Sequence, residues 1–519
     1  MASTPSREVA VIGAGPAGLT AARWLLACGL DPVVFEAADD IGGQWRSTNP
    51  SSGVWPDMRA NTSRVVTRFS DLDHPAGTPV FPHRTEVLDY LERYAELFGL
   101  RSRIRTSASV QRLEQAGAGG WTVRWREAGG PVRSAGFQRV VVAAGRHTLP
   151  SRPDIPGLDS FTGEGGVVHT SAYKDPARYR GLRVLVAGGA ISALEVASDL
   201  AMLGAARVST ASRRQRYVIP KLIAGLPSDH SRFTRFGALA SETLAPEINA
   251  ARFKAWLLAA GADPVRYGAP PAAEDPRLAG IALSQDFLPL VAEGRIDVRP
   301  WIAEVDGRTV RFTDGTTAEF DAILLGTGFK LDLGFLGDEV RQTLDLDERH
   351  IDLADATFHP ALPGLAFTGF YSQSGPYFPV LELQARWIAY AWSGVRPPPG
   401  AEAMDRAIAA YRMRRGQPQD QQMHLMAVRF ARLAGVESEV AAWPQIARAL
   451  LFGPLAPDGF RLSGPDSLAE APERLARQAA MLGAVTSPTF SDDEAMLVSM
   501  LAEQSSDQAV KALAWFTKA

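Results

Sequence analysis

Two glycine-rich turns, each following an apolar strand-like run, constrain this chain more than any other feature. The first is Val9-Ala10-Val11-Ile12 running into Gly13-Ala14-Gly15-Pro16-Ala17-Gly18. The second is Arg183-Val184-Leu185-Val186-Ala187 running into Gly188-Gly189-Ala190-Ile191-Ser192-Ala193. A glycine turn between a buried strand and a helix lets backbone approach a pyrophosphate, which the free amides and positive dipole end of the helix then hold. One such turn implies one dinucleotide, and two imply a pair brought face to face. The expected fold class is α/β, with two Rossmann-like dinucleotide-binding domains and a helical C-terminal extension.

The first turn is complete. Gly13 allows the tight turn, Gly15 the approach to phosphate and Gly18 close helix–strand packing, with Pro16 and Ala17 opening the helix. The next strand, Pro32 to Phe35, ends at Glu36, 23 positions beyond Gly13. A carboxylate there accepts ribose hydroxyls and repels a 2′-phosphate, which suits the adenosine of FAD or NAD. Behind Glu36, Ile41-Gly42-Gly43-Gln44-Trp45 offers a glycine pair through which backbone can reach a second arm of a large cofactor, tilting the reading to FAD.

The second turn is worn. Gly188 is kept, but Ala190 and Ala193 replace the second and third glycines. Alanine is tolerated at the third position, whereas a methyl at the second intrudes where backbone should meet phosphate. The strand after this helix, Ala206 to Ala211, leads to Ser212-Arg213-Arg214 instead of an acid. Hydroxyl and guanidinium groups there fit a 2′-phosphate and point to NADPH, with Gly188, Ala190 and Ser192 at the pyrophosphate. A solvated basic loop is the competing reading of the arginines.

At 519 residues, two or three domains are expected. A net charge of −3 gives no case for nucleic acid or an anionic membrane as partner. The single cysteine, Cys28, excludes an internal disulfide and a cysteine metal cluster; no metal is expected. The strand-like start at Glu8 leaves no room for a signal peptide, and no uncharged apolar run approaches the roughly 18 residues of a spanning helix. The closing stretch Val510 to Ala519, with Lys511 and Lys518, is too short and charged to anchor, so a soluble cytoplasmic protein is expected. Thr85 is expected to cap a helix through Phe98, Pro150 to Pro156 to cross between domains, and helices to dominate from Pro379 onward.

Between the turns, Phe161-Thr-Gly-Glu-Gly165-Gly-Val-Val-His169-Thr-Ser-Ala-Tyr173 resembles the fingerprint F-x-G-x-x-x-H-x-x-x-(Y/F) of flavin-containing monooxygenases and, with tryptophan last, of Baeyer–Villiger monooxygenases. Gly163 stands where phenylalanine belongs, and Phe161 is displaced by two positions. Gly42-Gly43-Gln44-Trp45-Arg46 looks like the family's GGxW segment. Asn61-Thr62-Ser63 with Phe69-Ser70-Asp71 looks like its TNSP…FSD stretch, and Gly326-Thr327-Gly328-Phe329 resembles its ATGY motif with glycine and phenylalanine as departures. Pro363 to Gly369, Glu382 to Trp387 and Phe460 to Pro465 resemble later family segments, so the likeness covers nearly the whole chain.

The resemblance implies an FAD domain (1–170 and 326–400) with an NADPH domain (171–325) inserted, completed by a helical region (401–519). It implies that NADPH reduces FAD, that O2 adds at flavin C4a to give a hydroperoxide, and that oxygen passes to a soft nitrogen or sulfur of a small organic substrate. Asn61 is implied as the catalytic residue beside the isoalloxazine. Gly43, Gln44, Trp45, Thr327, Gly328 and Gln373 are implied at the cofactors, and His169 in the ordering of a linker. The helix start near Phe378 is expected to face the flavin with its positive end. Baeyer–Villiger oxygenation of a ketone is the alternative, which Tyr173 in place of tryptophan disfavours. A flavin disulfide reductase needs a cysteine pair and fails on Cys28 alone. An FAD-binding protein without turnover rests only on Ala190 and the displaced Phe161. Homodimerisation is left open.

Overall fold

The computed structural model describes residues 8–117, 119–417 and 421–517; the remaining positions, Lys518 and Ala519 of the closing stretch among them, lie outside it. Two five-stranded parallel sheets organise the chain. In the first the order is Leu365–Phe367, Arg139–Val142, Glu8–Ile12, Asp31–Phe35, Ile104–Arg105. In the second it is Ile296–Arg299, Arg207–Ala211, Arg183–Ala187, Ala322–Leu325, Gly166–His169. The central strands Val9–Ile12 and Val184–Ala187 are buried on both faces, which is why they read as unbroken apolar runs without alternation.

Each central strand feeds a glycine turn and then a helix, Pro16–Ala27 in the first sheet and Ile191–Met202 in the second. In both sheets the chain runs outward on one side of the central strand and returns on the other, so the turns sit at topological switch points, where doubly wound folds bind ligands. The strand Gly166–His169, placed by the sequence with the first unit, is the edge strand of the second sheet. The crossing near Pro150 is not a lone strand: Leu149–Pro150 pairs antiparallel with the returning Phe329–Lys330, so both passages between the units run side by side.

Helix Arg84–Leu97 differs from expectation at its start. The cap is His83, not Thr85: the His83 ring accepts from the Thr85 amide while Glu86 accepts from the His83 amide at 2.7 Å, a reciprocal box one turn long. Thr85 fails as cap because it already lies inside the first turn. Helix Phe378–Ser393 packs between Pro16–Ala27 and Met423–Ala434, and its residues from Phe378 to Tyr390 are buried without interruption. That burial all round explains a sequence with almost no amphipathic stripe. Among the described residues no helix is long and apolar enough to cross a membrane.

Candidate active site

A cleft of about 1430 Å³ opens at both switch points and runs from the first glycine turn to the second. Single small-ligand pockets span about 300–1,000 Å³, so this volume suits more than one large ligand.

The first turn forms a cradle. Gly13 has φ +104°, and a Cβ there would stand 2.5 Å from the Ala143 carbonyl oxygen. Gly15 lines the cleft with Gly43 laid against it: a Cβ on Gly43 would come within 2.9 Å of the Gly15 Cα. The Gly42 amide donates to the Ala14 carbonyl at 3.0 Å, which locks the glycine pair beside the turn. Two bare backbones therefore line one wall, and no side chain caps the helix at Gly15, so its first amides face the cleft beside Pro16 and Ala17. Gly18 is buried instead, its absent Cβ allowing contact with the Gly13 carbonyl.

Glu36 also lines the cleft. Its two oxygens accept from the Ala14 amide at 2.6 Å and the Ala38 amide at 2.8 Å, fixing the carboxylate while lone pairs remain for hydroxyl donors. Gln44 and Trp45 lie along the same wall, the Gln44 amide donating to the His147 carbonyl at 2.9 Å.

Deeper in the cleft, three buried oxygens find no hydrogen-bond partner among the described residues: Asn61 Oδ1, Thr368 Oγ1 and Gln373 Oε1. An unsatisfied buried acceptor costs on the order of 1–3 kcal/mol, and the three residues that carry these oxygens all line the cleft, which makes them candidates to meet a polar ligand. Asn61 is positioned from behind: the Ser63 amide and hydroxyl both donate to Asp229, the hydroxyl at 2.9 Å, and Ser63 Oγ lies 3.0 Å from His230 Nε2. Burial pushes the Asp229 carboxyl up to about 6 and the His230 imidazole down to about 4. The Gln373 side chain is oriented by donating to the Pro376 carbonyl at 2.7 Å. Phe378, first residue of its helix, also lines the cleft, so that helix start does face it.

The second turn repeats the first. Gly188 has φ +141° and a Cβ there would stand 2.3 Å from the Gly326 carbonyl oxygen. Ala190 caps the helix at φ −97°, ψ 173°, close to the φ −77°, ψ −174° of Gly15. The alanine therefore adopts the motif's backbone without strain, and with Ser192 it lines the cleft. Gly188 and Ser212 border a recess beside Arg214, where Ser212 Oγ donates to the Arg214 carbonyl at 3.1 Å. Arg214 reaches the main cleft while donating to the Leu278 carbonyl at 3.0 Å. Arg213 turns away and stacks over Trp301 with its guanidinium 4.8 Å from the ring centroid.

The fingerprint residues are structural. His169 Nε2 lies 3.0 Å from the Gly328 carbonyl, which can only accept, so Nε2 carries the proton and Nδ1 receives the Ser171 amide at 3.1 Å. Thr327 donates to the Ser151 carbonyl, and Gly328, which lines the cleft, accepts from the Ser151 amide at 2.9 Å. These bonds hold the paired passages between the units. Phe161 folds back over Gly163, where a Cβ would meet the ring at 2.4 Å, so the displaced ring occupies the space beside the substituted position.

Sequence reasoning missed Asp229 and Arg232, which reach the site from a five-residue helix, Ser228–Arg232, with no local signature.

The fold and the site together define a flavoprotein oxidoreductase built to hold two dinucleotides. The sequence matches the flavin-binding monooxygenase-like family over residues 6–485. It is 30% identical over 490 residues to dimethylaniline monooxygenase (N-oxide-forming) 2 of Rattus norvegicus, covering 88% of this chain and 89% of that protein. It is 30% identical over 494 residues to flavin-containing monooxygenase 5 of Oryctolagus cuniculus, covering 88% and 89%. The fold is shared with S-allyl-L-cysteine S-oxygenase from Allium sativum (TM-score 0.60, 24% identity, 96% and 98% of the two chains) and with an open form of cyclohexanone monooxygenase (TM-score 0.61, 20% identity, 83% and 98%). The chain belongs to the flavin-containing monooxygenase family: it is an FAD-dependent monooxygenase that takes its electrons from NADPH.

Proposed function

We propose that this enzyme oxygenates a soft heteroatom, nitrogen or sulfur, of a small organic substrate. The observation that carries the reading is the unpartnered Asn61 amide oxygen in a cleft that spans both glycine turns. The N-oxide-forming relative, similar over nine-tenths of its length, supports nitrogen or an equally soft atom as acceptor. When bound, the flavin supplies the electrons that activate O2 and the nicotinamide supplies its hydride.

The chain's own residues bind, orient and exclude water. The Gly15–Gly43 cradle and the uncapped helix start would hold the FAD pyrophosphate, and Glu36 its ribose. Ser212 and Arg214 would hold the 2′-phosphate of NADPH, while Arg213 is engaged with Trp301. Asn61 and Gln373 each present an amide oxygen toward the cleft, where they accept from N–H donors and hold them in register. The apolar wall from Phe378 and Leu381 keeps the inner cleft dry.

We draw the FAD unit as 1–165 with 326–400, the NADPH unit as 166–325 and the helical region as 401–519. The first boundary moves back from 170 because Gly166–His169 pairs in the second sheet. A cytoplasmic location belongs to the same proposal, on the single cysteine. Sedimentation decides between a monomer and the homodimer.

A panel of tertiary amines, thioethers and ketones, scored by product per NADPH consumed, tests the function. An N-oxide or S-oxide formed nearly one for one with NADPH is expected, with ketones returned unchanged. Ester or lactone formation from the ketones at a higher kcat/KM would overturn it in favour of Baeyer–Villiger chemistry.

A further inference from the structure

Arg232 is the feature of the cleft that FAD, NADPH and the heteroatom do not account for. Among the described residues no carboxylate pairs with it, and its buried Nε has no hydrogen-bond partner. The guanidinium is packed 4.0 Å from the Phe253 ring centroid and 5.6 Å from that of Trp256, and it donates to the Gln422 side-chain oxygen. Burial without a compensating anion pushes it down to about 10, still charged at neutral pH. Holding a cation in such a place is costly unless something negative arrives to meet it.

Its position says what arrives. Arg232, Phe253 and Gln422 all line the cleft. Gln421–Gln422 pairs with Gln373–Ser374, so the Gln422 held by Arg232 lies in register with the neighbour of Gln373. The same short helix carries Asp229, which clamps Ser63 two residues after Asn61. Arg232 is thus tied by one side-chain bond and one strand pair to Gln373, and by one helical turn to the Asn61 loop. Among the described residues, the carboxylates that line the cleft are committed elsewhere: Glu36 holds the first turn, and Asp275 pairs with Arg277 at 2.8 Å.

We propose that Arg232 binds the carboxylate of the substrate, which makes this enzyme selective for small thioethers or tertiary amines that carry an acid group. The inference rests on the heteroatom reading above. The Phe253 ring, which lines the cleft, borders the hydrocarbon spacer, and the guanidinium fork meets the carboxylate.

The oxidised enzyme, loaded with FAD and NADP+, is titrated with 3-(methylthio)propanoate and with its methyl ester, following flavin absorbance, and kcat/KM is measured for both. The wild type is expected to bind the acid at least tenfold tighter than the ester. In Arg232→Gln the acid-to-ester ratio, in both Kd and kcat/KM, is expected to fall about 10- to 100-fold, with partial recovery in Arg232→Lys and no change in the NADP+ Kd. A wild type that binds ester and acid alike overturns the proposal, as does an acid-to-ester ratio that survives Arg232→Gln. A weakened NADP+ Kd with an unaltered ratio gives the guanidinium to a cofactor phosphate and overturns it too. If the acid binds through Arg232 but neither thioether is oxygenated, the anion site stands and the heteroatom reading fails.

Discussion

A single methyl group has changed sides between the two halves of the molecule. In the first turn the helix contributes Gly18 and the neighbouring strand end contributes Ala143; a Cβ on Gly18 would stand 3.6 Å from the Ala143 methyl and 1.8 Å from the Gly13 carbonyl oxygen. In the second turn the helix contributes Ala193 and the equivalent strand end contributes Gly326, where a Cβ would stand 2.6 Å from the Ala193 methyl. The alanine in the third turn position and the glycine that opens Gly326-Thr327-Gly328-Phe329 are therefore one compensated change, not two departures from the family pattern. Gly326→Ala is expected to lower stability by about 1–3 kcal/mol through overpacking. Adding Ala193→Gly is expected to recover only part of that loss, because the new Cβ would still stand 2.9 Å from the Cα of residue 193 and the glycine itself costs about 1 kcal/mol in a helix. Urea midpoints of the two single variants and the double variant give the coupling directly; additive losses would refute it.

At the scale of elements, segments far apart in sequence meet in one buried ionic network behind the cleft. Glu382, on the helix Phe378–Ser393, accepts from the Ser70 amide at 2.8 Å and from its hydroxyl. Asp71 pairs with Arg23 at 2.8 Å and with Arg461 at 2.8 Å, while Arg386 pairs with Asp466 at 2.6 Å and donates to the Phe460 carbonyl at 2.8 Å. Phe69-Ser70-Asp71, the Glu382 to Trp387 segment and the Phe460 to Pro465 segment resemble the family because they build this scaffold; Asn61 and Phe378 stand on its cleft side. Removing one partner of a buried pair leaves the other charge uncompensated, at about 3–5 kcal/mol. Arg461→Ala, which leaves Asp71 with Arg23 as its remaining partner, is expected to lower the unfolding free energy from urea melts by less than that, on the order of 1–3 kcal/mol, and to reduce retained FAD, read as the ratio of flavin to protein absorbance.

The whole molecule carries a pH dependence from imidazoles buried without charge. Burial holds His230 down to about 4, and holds His424 well below its ordinary value with both ring nitrogens unpartnered. Once unfolded, each takes a proton near pH 6.5, so between that value and the folded one the unfolded chain binds more protons and stability falls as pH drops. For His230 this amounts to about 2 kcal/mol at pH 5. Asp229, raised to about 6 by burial, acts oppositely: its contribution is present at low pH and lost as pH rises from about 3.8 through 6. His147, also held down to about 4 by burial, adds to the imidazole side, and the raised carboxyls of Asp199, Asp286 and Glu382 add to the other, so the imidazole share is read by difference: from pH 7 to pH 5 the urea midpoint is expected to fall in the wild type relative to His424→Leu. His424→Leu flattens that fall, and an unchanged slope in the variant would contradict the assignment.

The amino-acid sequence by itself determined the two strand–turn–helix units, the carboxylate Glu36 at the end of the second strand and the glycine pair at Gly42 and Gly43. Each is a local matter of backbone sterics and apolar runs, readable within about thirty residues. It also named Asn61 and Gln373 as cofactor-side residues, and both line the cleft. What only the tertiary structure decided are contacts between residues 159 or more apart: His169 with Gly328, Ser63 with Asp229, Arg232 with Gln422. No periodicity encodes such pairs, because a hydrogen bond or an unpaired charge depends on where the finished fold brings the two groups. The worn second turn shows the same division. Ala193 fits because the strand end opposite it, Gly326, carries no methyl, and Ala190 fits because its backbone is the extended one of Gly15.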